Sequence, residues 1–555
     1  CFCFWARRAH GIAAVRQERG CERKPPHAHF RFDTLFEAHS RLGRRAVNRR
    51  SILKTALGAG IAVESGAAPA FLAGQRPGAS RPNILFLMDD QHRGDCTHAD
   101  GNAAIHTPNI DRIGAEGVRF RRACSCTPTC TPARSGLLTG LSPWNHGMLH
   151  MVAMAEHYPF TKPQAMRDAG YYTTGIGKMH YHTQRNTHGY HQVILDESGR
   201  IQNPEFRSDY RAWFWSEAPT RNPDATGIGW NDYPARPYAL PENLHPTHWT
   251  GQTAVNFLNS YNRAEPFFLK VSFARPHSPY DPPERLWKKY GEAPLPEASV
   301  GDWAAKYAPR NSDRDDIWHG DLGKAQVRES RRGYYGSVEF VDEQVGRILE
   351  ALEKRGWLEE TLIVFTSDHG DMTGDHHLWR KSYPYEASAR IPMAMRWPEG
   401  LVSARRGQVR SETVELRDLL PTFLDAAGAP TSRPLDGASL LGLFRNNAPA
   451  WREYLDLEHG VCYSPENNWT GLTDGRMKYI FHAYHGNEQL FDLAADPHEL
   501  HDLSGDPKQS AALRMWRERM VRHLEIRGDE WVKGGKLQIR QKPIPRSPNF
   551  PASNA

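Results

Sequence analysis

Residues 83–88 form an apolar run that stops at Asp89, Asp90 and Gln91. A run of that length without alternation predicts a strand covered on both faces. A short helix over 108–115 and a strand over 117–120 follow, and the next helix begins at about Pro132. Helix is then predicted over 163–169 and strand over 171–176, which delivers Lys178 and His180. A further pair, helix 249–261 and strand 267–273, ends at Arg275, Pro276 and His277. The clearest pair comes last. Val338, Val341, Val345, Ile348 and Leu352 recur three or four apart, Gly356 closes that helix, and strand 361–366 runs out at Ser367, Asp368, His369 and Gly370. Alternation of this kind implies the α/β class, a large mostly parallel sheet flanked by helices.

Between His182 and about Pro246 the periodicity fails, and Pro, Gly, Asn and aromatic residues dominate. A stretch that long inside a folded domain is usually functional or disordered. Its aromatic residues, with Trp213, Trp215, Trp230, Tyr233 and Trp249 prominent, predict an ordered insertion beside a site; for any one of them, packing onto the core is an equal alternative. After residue 446 the texture changes again: 475–481 and 489–493 resemble antiparallel strands, and Leu513, Trp516, Met520 and Leu524 mark one amphipathic helix. The expected organisation is a catalytic domain over 80–445, a smaller antiparallel C-terminal subdomain over 446–535, and an extended or disordered tail over 536–555.

Composition narrows the class. Of 555 residues 39% are hydrophobic and 24% charged, mean hydropathy is -0.66, and no apolar stretch is long enough to span a bilayer. The formal charge of +6 would suit a nucleic-acid partner were it spread over the body. It is not: residues 1–55 hold 13 Lys/Arg against 4 Asp/Glu, leaving 57 against 60 in the remainder. Neither nucleic acid nor stable membrane insertion is expected.

The basic leader reads as an export signal. Asn48, Arg49, Arg50, Ser51, Ile52, Leu53 and Lys54 resemble a twin-arginine motif, and a mild apolar run leads to Ala68, Pro69 and Ala70, a small-residue cleavage pattern. Residues 47–70 are therefore expected to be a signal peptide read by the twin-arginine export machinery, giving a periplasmic or secreted protein. No methionine precedes Met88, so 1–46 read as upstream translation and Val47 as an alternative start. Cys1, Cys3 and Cys21 fall in that leader. Cys96, Cys124, Cys126, Cys130 and Cys462 do not make a disulfide framework, and Cys124 and Cys126 read as small buried residues.

Candidate chemistry gathers at one helix entrance and four strand ends. In Cys130-Thr131-Pro132-Ala133-Arg134, Pro132 suits a first helical position and Thr131 can cap, which puts Cys130 at a helix mouth where anions are favoured. Arg134, one turn on, adds a fork of donors. Asp90 with Gln91, Lys178 with His180, His277, and Asp368 with His369 each follow an apolar run. In a parallel sheet such ends share one rim.

Cys-x-Pro-x-Arg followed by Ser135, Gly136, Leu137, Leu138, Thr139 and Gly140 resembles the signature of the type I sulfatases, in the alkaline phosphatase-like superfamily, and the resemblance runs from Arg81 to about Pro507. Cys126 begins a near copy whose fifth position is Cys130 instead of arginine, so only Cys130 is the expected site of modification. The resemblance implies that a formylglycine-generating enzyme oxidises Cys130 to formylglycine before export. It implies a divalent metal on Asp90, Gln91, Asp368, His369 and modified Cys130, with Ca²⁺ favoured and Mg²⁺ or Mn²⁺ as alternatives. Arg134, Lys178, His180, His277 and Lys381 match positions that hold sulfate or move protons.

The implied reaction is release of inorganic sulfate from a sulfate monoester, either a sulfated carbohydrate or an aryl sulfate. A hydroxyl of hydrated formylglycine attacks sulfur, Asp368 accepts its proton, His277 with Lys381 protonates the departing alcohol, and His180 serves the release of sulfate. Two departures stand out: Gln91 sits where many members carry a second aspartate, and His369 where asparagine is common. Both resemble relatives that hydrolyse phosphonate monoesters or phosphodiesters, which makes that activity the alternative. A secreted, non-catalytic glycan-binding protein is the second.

Overall fold

The computed structural model describes residues 81–198, 200, 203–445, 450–461 and 463–551. The expected upstream segment 1–46, the signal peptide 47–70 and Cys462 lie outside them. Eight strands form the main sheet: β1 (Asn83–Asp90), β2 (Val118–Cys124), β3 (Tyr172–Gly177), β4 (Gln192–Leu195), β5 (Phe267–Pro276), β6 (Thr361–Ser367), β7 (Met393–Arg396) and β8 (Gln408–Glu415), in the order β4-β3-β5-β1-β6-β7-β2-β8. Every neighbouring pair is parallel except the two that involve β7. The chain leaves β6 at its C-terminal rim and makes its whole 368–392 excursion before re-entering as β7. Its helical pieces, Asp375–His377 and Glu386–Ala389, are too short to carry it back across the sheet, so it returns antiparallel.

Strand alternation divides β1 between two cores. Ile84, Phe86 and Met88 join Ala133, Leu137, Ala165 and Phe423 on one face. Leu85 and Leu87 join Ile110, Phe257, Val341 and Val345 on the other. The helices Cys130–Thr139, Lys162–Asp168 and Leu419–Ala426 therefore cover the first face, and Pro108–Ala115, Pro246–Ser260 and Gly323–Lys354 the second. Each of these β1 side chains is fully buried, a contribution of about 1.5–3 kcal/mol apiece. A one-residue slip would exchange the faces and move Asp90 off the rim, so the apolar run itself fixes which aspartate reaches the site.

Four more strands, β9 (Leu455–His459), β10 (Trp469–Thr473), β11 (Met477–His482) and β12 (Asn487–Asp492), form a separate antiparallel sheet in the order β12-β11-β10-β9. One face carries the helix Ser510–Leu524 through Trp516, Met520 and Leu524. The other, through Leu457, Trp469, Ile480 and Phe491, packs on Cys124, Cys126, Leu378, Tyr383 and Tyr385. Thus the small sheet buttresses both the cysteine segment and the 368–392 excursion.

The 182–246 stretch, expected to be irregular, contains β4 and a helix, Asp209–Glu217. The strand is a four-residue edge and the helix Asp-Tyr-Arg-Ala-Trp-Phe-Trp-Ser-Glu has no clean apolar stripe, so neither carries a periodic signal. The segment after Lys536 is extended and docked: Leu149 N–H donates to the Pro545 carbonyl at 3.1 Å and Ser547 N–H to that of Gly147 at 2.9 Å.

Candidate active site

β1, β3, β5 and β6 are consecutive neighbours in space, and their ends bring Asp90, Lys178, His277 and Asp368 to one rim. Gln91 turns the chain there with φ +74°, a left-handed conformation costly for a residue with a β-carbon. Two contacts hold it: the Tyr334 hydroxyl donates to its carbonyl at 2.7 Å, and its own N–H donates to Asp368 Oδ1 at 3.1 Å. The cysteine helix spans Cys130–Thr139 with Thr129 at the cap position, so the helix begins earlier than expected and Thr131 is not the cap. The Thr131 hydroxyl donates to the Val152 carbonyl instead, at 2.8 Å.

Ligand-type atoms of Asp90, Cys130, Asp368 and His369 all lie within 4.8 Å of one another, and all four residues are buried. Cys130 Sγ is 3.2 Å from His369 Nε2, while His369 Nδ1 is 2.9 Å from the Gly370 carbonyl and takes the proton of the neutral ring. Burial opposes ionisation of the Cys130 thiol, but Lys381 and His369 overcome it and bring it down to about 7. The same neighbours that favour a thiolate favour any anion at that spot.

Arg134 was expected to present its fork to an oxyanion. Its nitrogens are all engaged by protein groups: Nε donates to Asp368 at 2.8 Å, one terminal nitrogen to Asp90 at 2.8 Å, and the other to the Lys178 carbonyl at 2.7 Å and Ser272 Oγ at 3.2 Å. Arg134 is thus a brace that clamps two carboxylates side by side. Lys178 Nζ stands 2.6 Å from Asp90 and over the Trp230 ring at 4.5 Å. Burial would push Asp90 up, yet the charges of Lys178 and Arg134 hold it well below the usual carboxylate range.

Lys381 joins two parts of the site, donating to Gln91 Oε1 at 2.7 Å and to His277 Nε2 at 2.6 Å. His277 Nδ1 sits 2.8 Å from the Ser278 carbonyl, which leaves Nε2 as an acceptor. Burial, Lys381 and Lys178 keep this imidazole neutral, with its pKa well below the ordinary value. Lys381 Nζ is therefore the donor in this contact. Trp230 stacks on His277 with centroids 4.3 Å apart. His180 is neutral for the same first reason, burial, reinforced by Arg200 and Lys178, and its Nδ1 has no hydrogen-bonding partner among the described residues. Glu197 fixes the turn carrying it by accepting from the N–H groups of Met179 and His180 at 3.1 and 2.9 Å.

The donor set suits a divalent cation. Asp90 Oδ1 is buried with no hydrogen-bonding partner among the described residues, and two carboxylates, an imidazole nitrogen and the carbonyl of Gln91 are at hand. Gln91 has its orientation settled by Asp371, whose carboxylate accepts from Nε2 at 2.5 Å and from the Tyr280 hydroxyl. A carboxylate only accepts, so the amide nitrogen must face Asp371 and the oxygen the site. Loss of this orienting partner in Asp371→Ala is expected to weaken divalent-metal affinity about 10–100-fold; titration with a metal indicator checks it, and unchanged affinity would remove Asp371 from the site.

Asp89 points elsewhere, paired with His92 Nδ1 at 2.6 Å. Asp89→Asn should therefore leave metal content unchanged while Asp90→Asn removes it, both read by elemental analysis of folded protein. Reading the sequence passed over Asp371, Glu197, Ser272 and Tyr334, and gave no ground for choosing Trp230 among the aromatic residues. Asp371 alone had a signal, its place three residues after Asp368.

A parallel sheet with carboxylates, a clamp arginine and a cysteine at a helix mouth defines an enzyme of the alkaline phosphatase-like superfamily. The chain belongs to the sulfatase family: the Sulfatase family model matches residues 82–429, and that of N-sulphoglucosamine sulphohydrolase, C-terminal, matches 374–525. It is 37% identical over 471 residues to an arylsulfatase of Clostridium perfringens, covering 82% of this chain and 97% of that one. A choline-sulfatase of Rhizobium meliloti is 29% identical over 474 residues, covering 80% of this chain and 87% of that one. Among solved structures, the phosphonate monoester hydrolase of Agrobacterium radiobacter superposes with a TM-score of 0.68 at 25% identity, covering 84% of this chain and all of that one. The chain is accordingly a sulfatase, an enzyme of sulfate ester hydrolysis.

Proposed function

We propose that this enzyme releases inorganic sulfate from a sulfate monoester with a sugar or aryl leaving group, acting with Cys130 as formylglycine and one divalent cation, Ca²⁺, on Asp90, Gln91, Asp368 and His369. The observation that carries this reading is the placement of Cys130 Sγ among Asp90, Asp368 and His369. Oxygen donors in the majority suit Ca²⁺; the single imidazole leaves Mg²⁺ and Mn²⁺ as the competitors to test. Such a cation would lower the pKa of a hydroxyl on residue 130 and bear charge on sulfuryl oxygens. The modification supplies two hydroxyls, one to attack sulfur and one to release sulfate.

The chain's own residues supply the rest. Arg134 and Lys178 are already paired with Asp90 and Asp368, whereas Lys381 contacts Gln91 and His277 and no carboxylate, so its ammonium is the cation available to a singly charged ester. Lys381 carries the proton nearest the leaving group, with His277 Nε2 as its partner, so the two act as a pair and not as His277 with an assistant. His180 offers a neutral, buried nitrogen to accept a proton on the release side. Trp230, half-buried over His277 and Lys178, forms the wall that a leaving group meets. Trp230→Ala should raise KM about tenfold for aryl or sugar sulfates with less effect on kcat, the size expected for one lost ring contact; unchanged KM would remove Trp230 from the leaving-group site.

The Cys130 motif supports maturation by a formylglycine-generating enzyme, and the leader supports twin-arginine export and a periplasmic or secreted location. Fractionation of a native host tests this, and a cytoplasmic protein that retains residues 47–70 would overturn it. The second reading, hydrolysis of phosphonate monoesters or phosphodiesters, is favoured by Gln91 and His369 and by the phosphonate monoester hydrolase fold. Kinetics decide between them. kcat/KM for matched aryl sulfate, aryl phosphodiester and phenylphosphonate esters, alongside sulfated sugars, should rank a sulfate first; a phosphonate faster than every sulfate would replace the first reading.

A further inference from the structure

Away from the catalytic rim, the segment 531–544 closes over β9 and β10 and leaves a cavity of about 10 Å³, lined among others by Arg540, Thr470, His459 and Trp531. That is room for one water-sized occupant. Arg540 is 94% buried, since its relative exposure is 6%, and both terminal guanidinium nitrogens have no hydrogen-bonding partner among the described residues. The Thr470 hydroxyl and His459 Nδ1, also buried, have none either. The Arg540 guanidinium and the Thr470 hydroxyl are two unpartnered polar groups on one small cavity, which is rare in a folded protein because each costs about 1–3 kcal/mol, and more when charged.

Charge says what the occupant is. The only carboxylate lining the cavity among the described residues is that of Glu458, and Arg527 already holds it with two hydrogen bonds of 2.8 and 3.0 Å. Two guanidiniums against one carboxylate leave a positive charge in a buried place. Trp531 stacks on Arg540 at 3.9 Å and offsets part of it, but a ring face supplies no acceptor to the terminal nitrogens. Burial lowers Arg540 to about 10, with Glu458 opposing and Arg527 adding to the shift. A water could accept one bond there; it could not balance the charge.

We propose that this cavity is a binding site for a monatomic monovalent anion, chloride, held by the Arg540 guanidinium and the Thr470 hydroxyl. The site also adjoins the cysteine helix through one side chain: His459 Nε2 is 2.8 Å from Thr129 Oγ1, and that oxygen is 2.6 Å from Ser382 Oγ. Thr129 immediately precedes Cys130.

Crystals of the full enzyme grown with bromide in place of chloride should show an anomalous peak in contact with Arg540 and Thr470; a water there with no anomalous signal would overturn the proposal. In solution, chloride titrated against gluconate at constant ionic strength should raise the melting temperature saturably by about 2 °C. Thr470→Val, which keeps the shape and removes one donor, should move the midpoint of that titration about tenfold to higher chloride. A midpoint that does not move, or equal melting in chloride and gluconate, contradicts the assignment.

Discussion

Asp368→Asn is expected to remove metal and turnover together, with a loss of at least about 10³-fold in kcat. The side chain has three tasks in the structure: it lies in the donor cluster, accepts from Arg134 Nε at 2.8 Å, and accepts from the Gln91 N–H at 3.1 Å. An amide keeps the shape but carries no charge. Several kcal/mol of stabilisation of developing charge would go with the cation, and about 1.4 kcal/mol is tenfold in rate. Folding should suffer less than catalysis. A wholly unpaired buried Arg134 would cost about 3–5 kcal/mol, but Asp90 still neutralises it at 2.8 Å. Metal content and melting measured on one preparation separate the two effects. Bound metal with lost activity would show that Asp368 moves a proton and is not needed to hold the ion.

Cys130→Ala should abolish turnover, about 10⁴-fold or more, with little change in stability. Cys130 is buried among polar groups and contributes one contact, to His369, so alanine leaves neither a large cavity nor an unpaired charge. Cys130→Ser distinguishes a nucleophile from a mere donor. Serine offers one hydroxyl, enough to attack and not to release, so it should give at most a single turnover. Sustained turnover by the serine enzyme would contradict a role for two hydroxyls at this position.

Asp90, Lys178, His277 and Asp368 were legible because each ends an apolar run, and a parallel sheet gathers such ends whatever their distance in sequence. Local pattern was weaker where tertiary contacts decide. Thr131 was read as the cap, but the helix begins at Cys130 with Thr129 at the cap position, and the Thr129 hydroxyl is engaged by Ser382 and His459. Lys381 lies in the irregular 368–392 excursion and was legible only through resemblance. Its partner His277 was named as an acid, but the Ser278 carbonyl fixes the tautomer the other way, and no sequence pattern reports that. Arg134 looked like a sulfate ligand because motif spacing gives its position and not where its fork points. The antiparallel course of β7 likewise follows from the path of the chain, since nothing in the four residues Met-Ala-Met-Arg sets the direction of a strand.

Peptide mass spectrometry of active enzyme, made with and without a formylglycine-generating enzyme, tests the central claim most directly. The account predicts an aldehyde at Cys130 and none at Cys126, whose thiol donates to Glu415 at 2.6 Å in a separate buried cluster. It further predicts that turnover rises in proportion to the fraction of aldehyde across preparations. Full activity in protein that carries an unmodified thiol at Cys130 would contradict it.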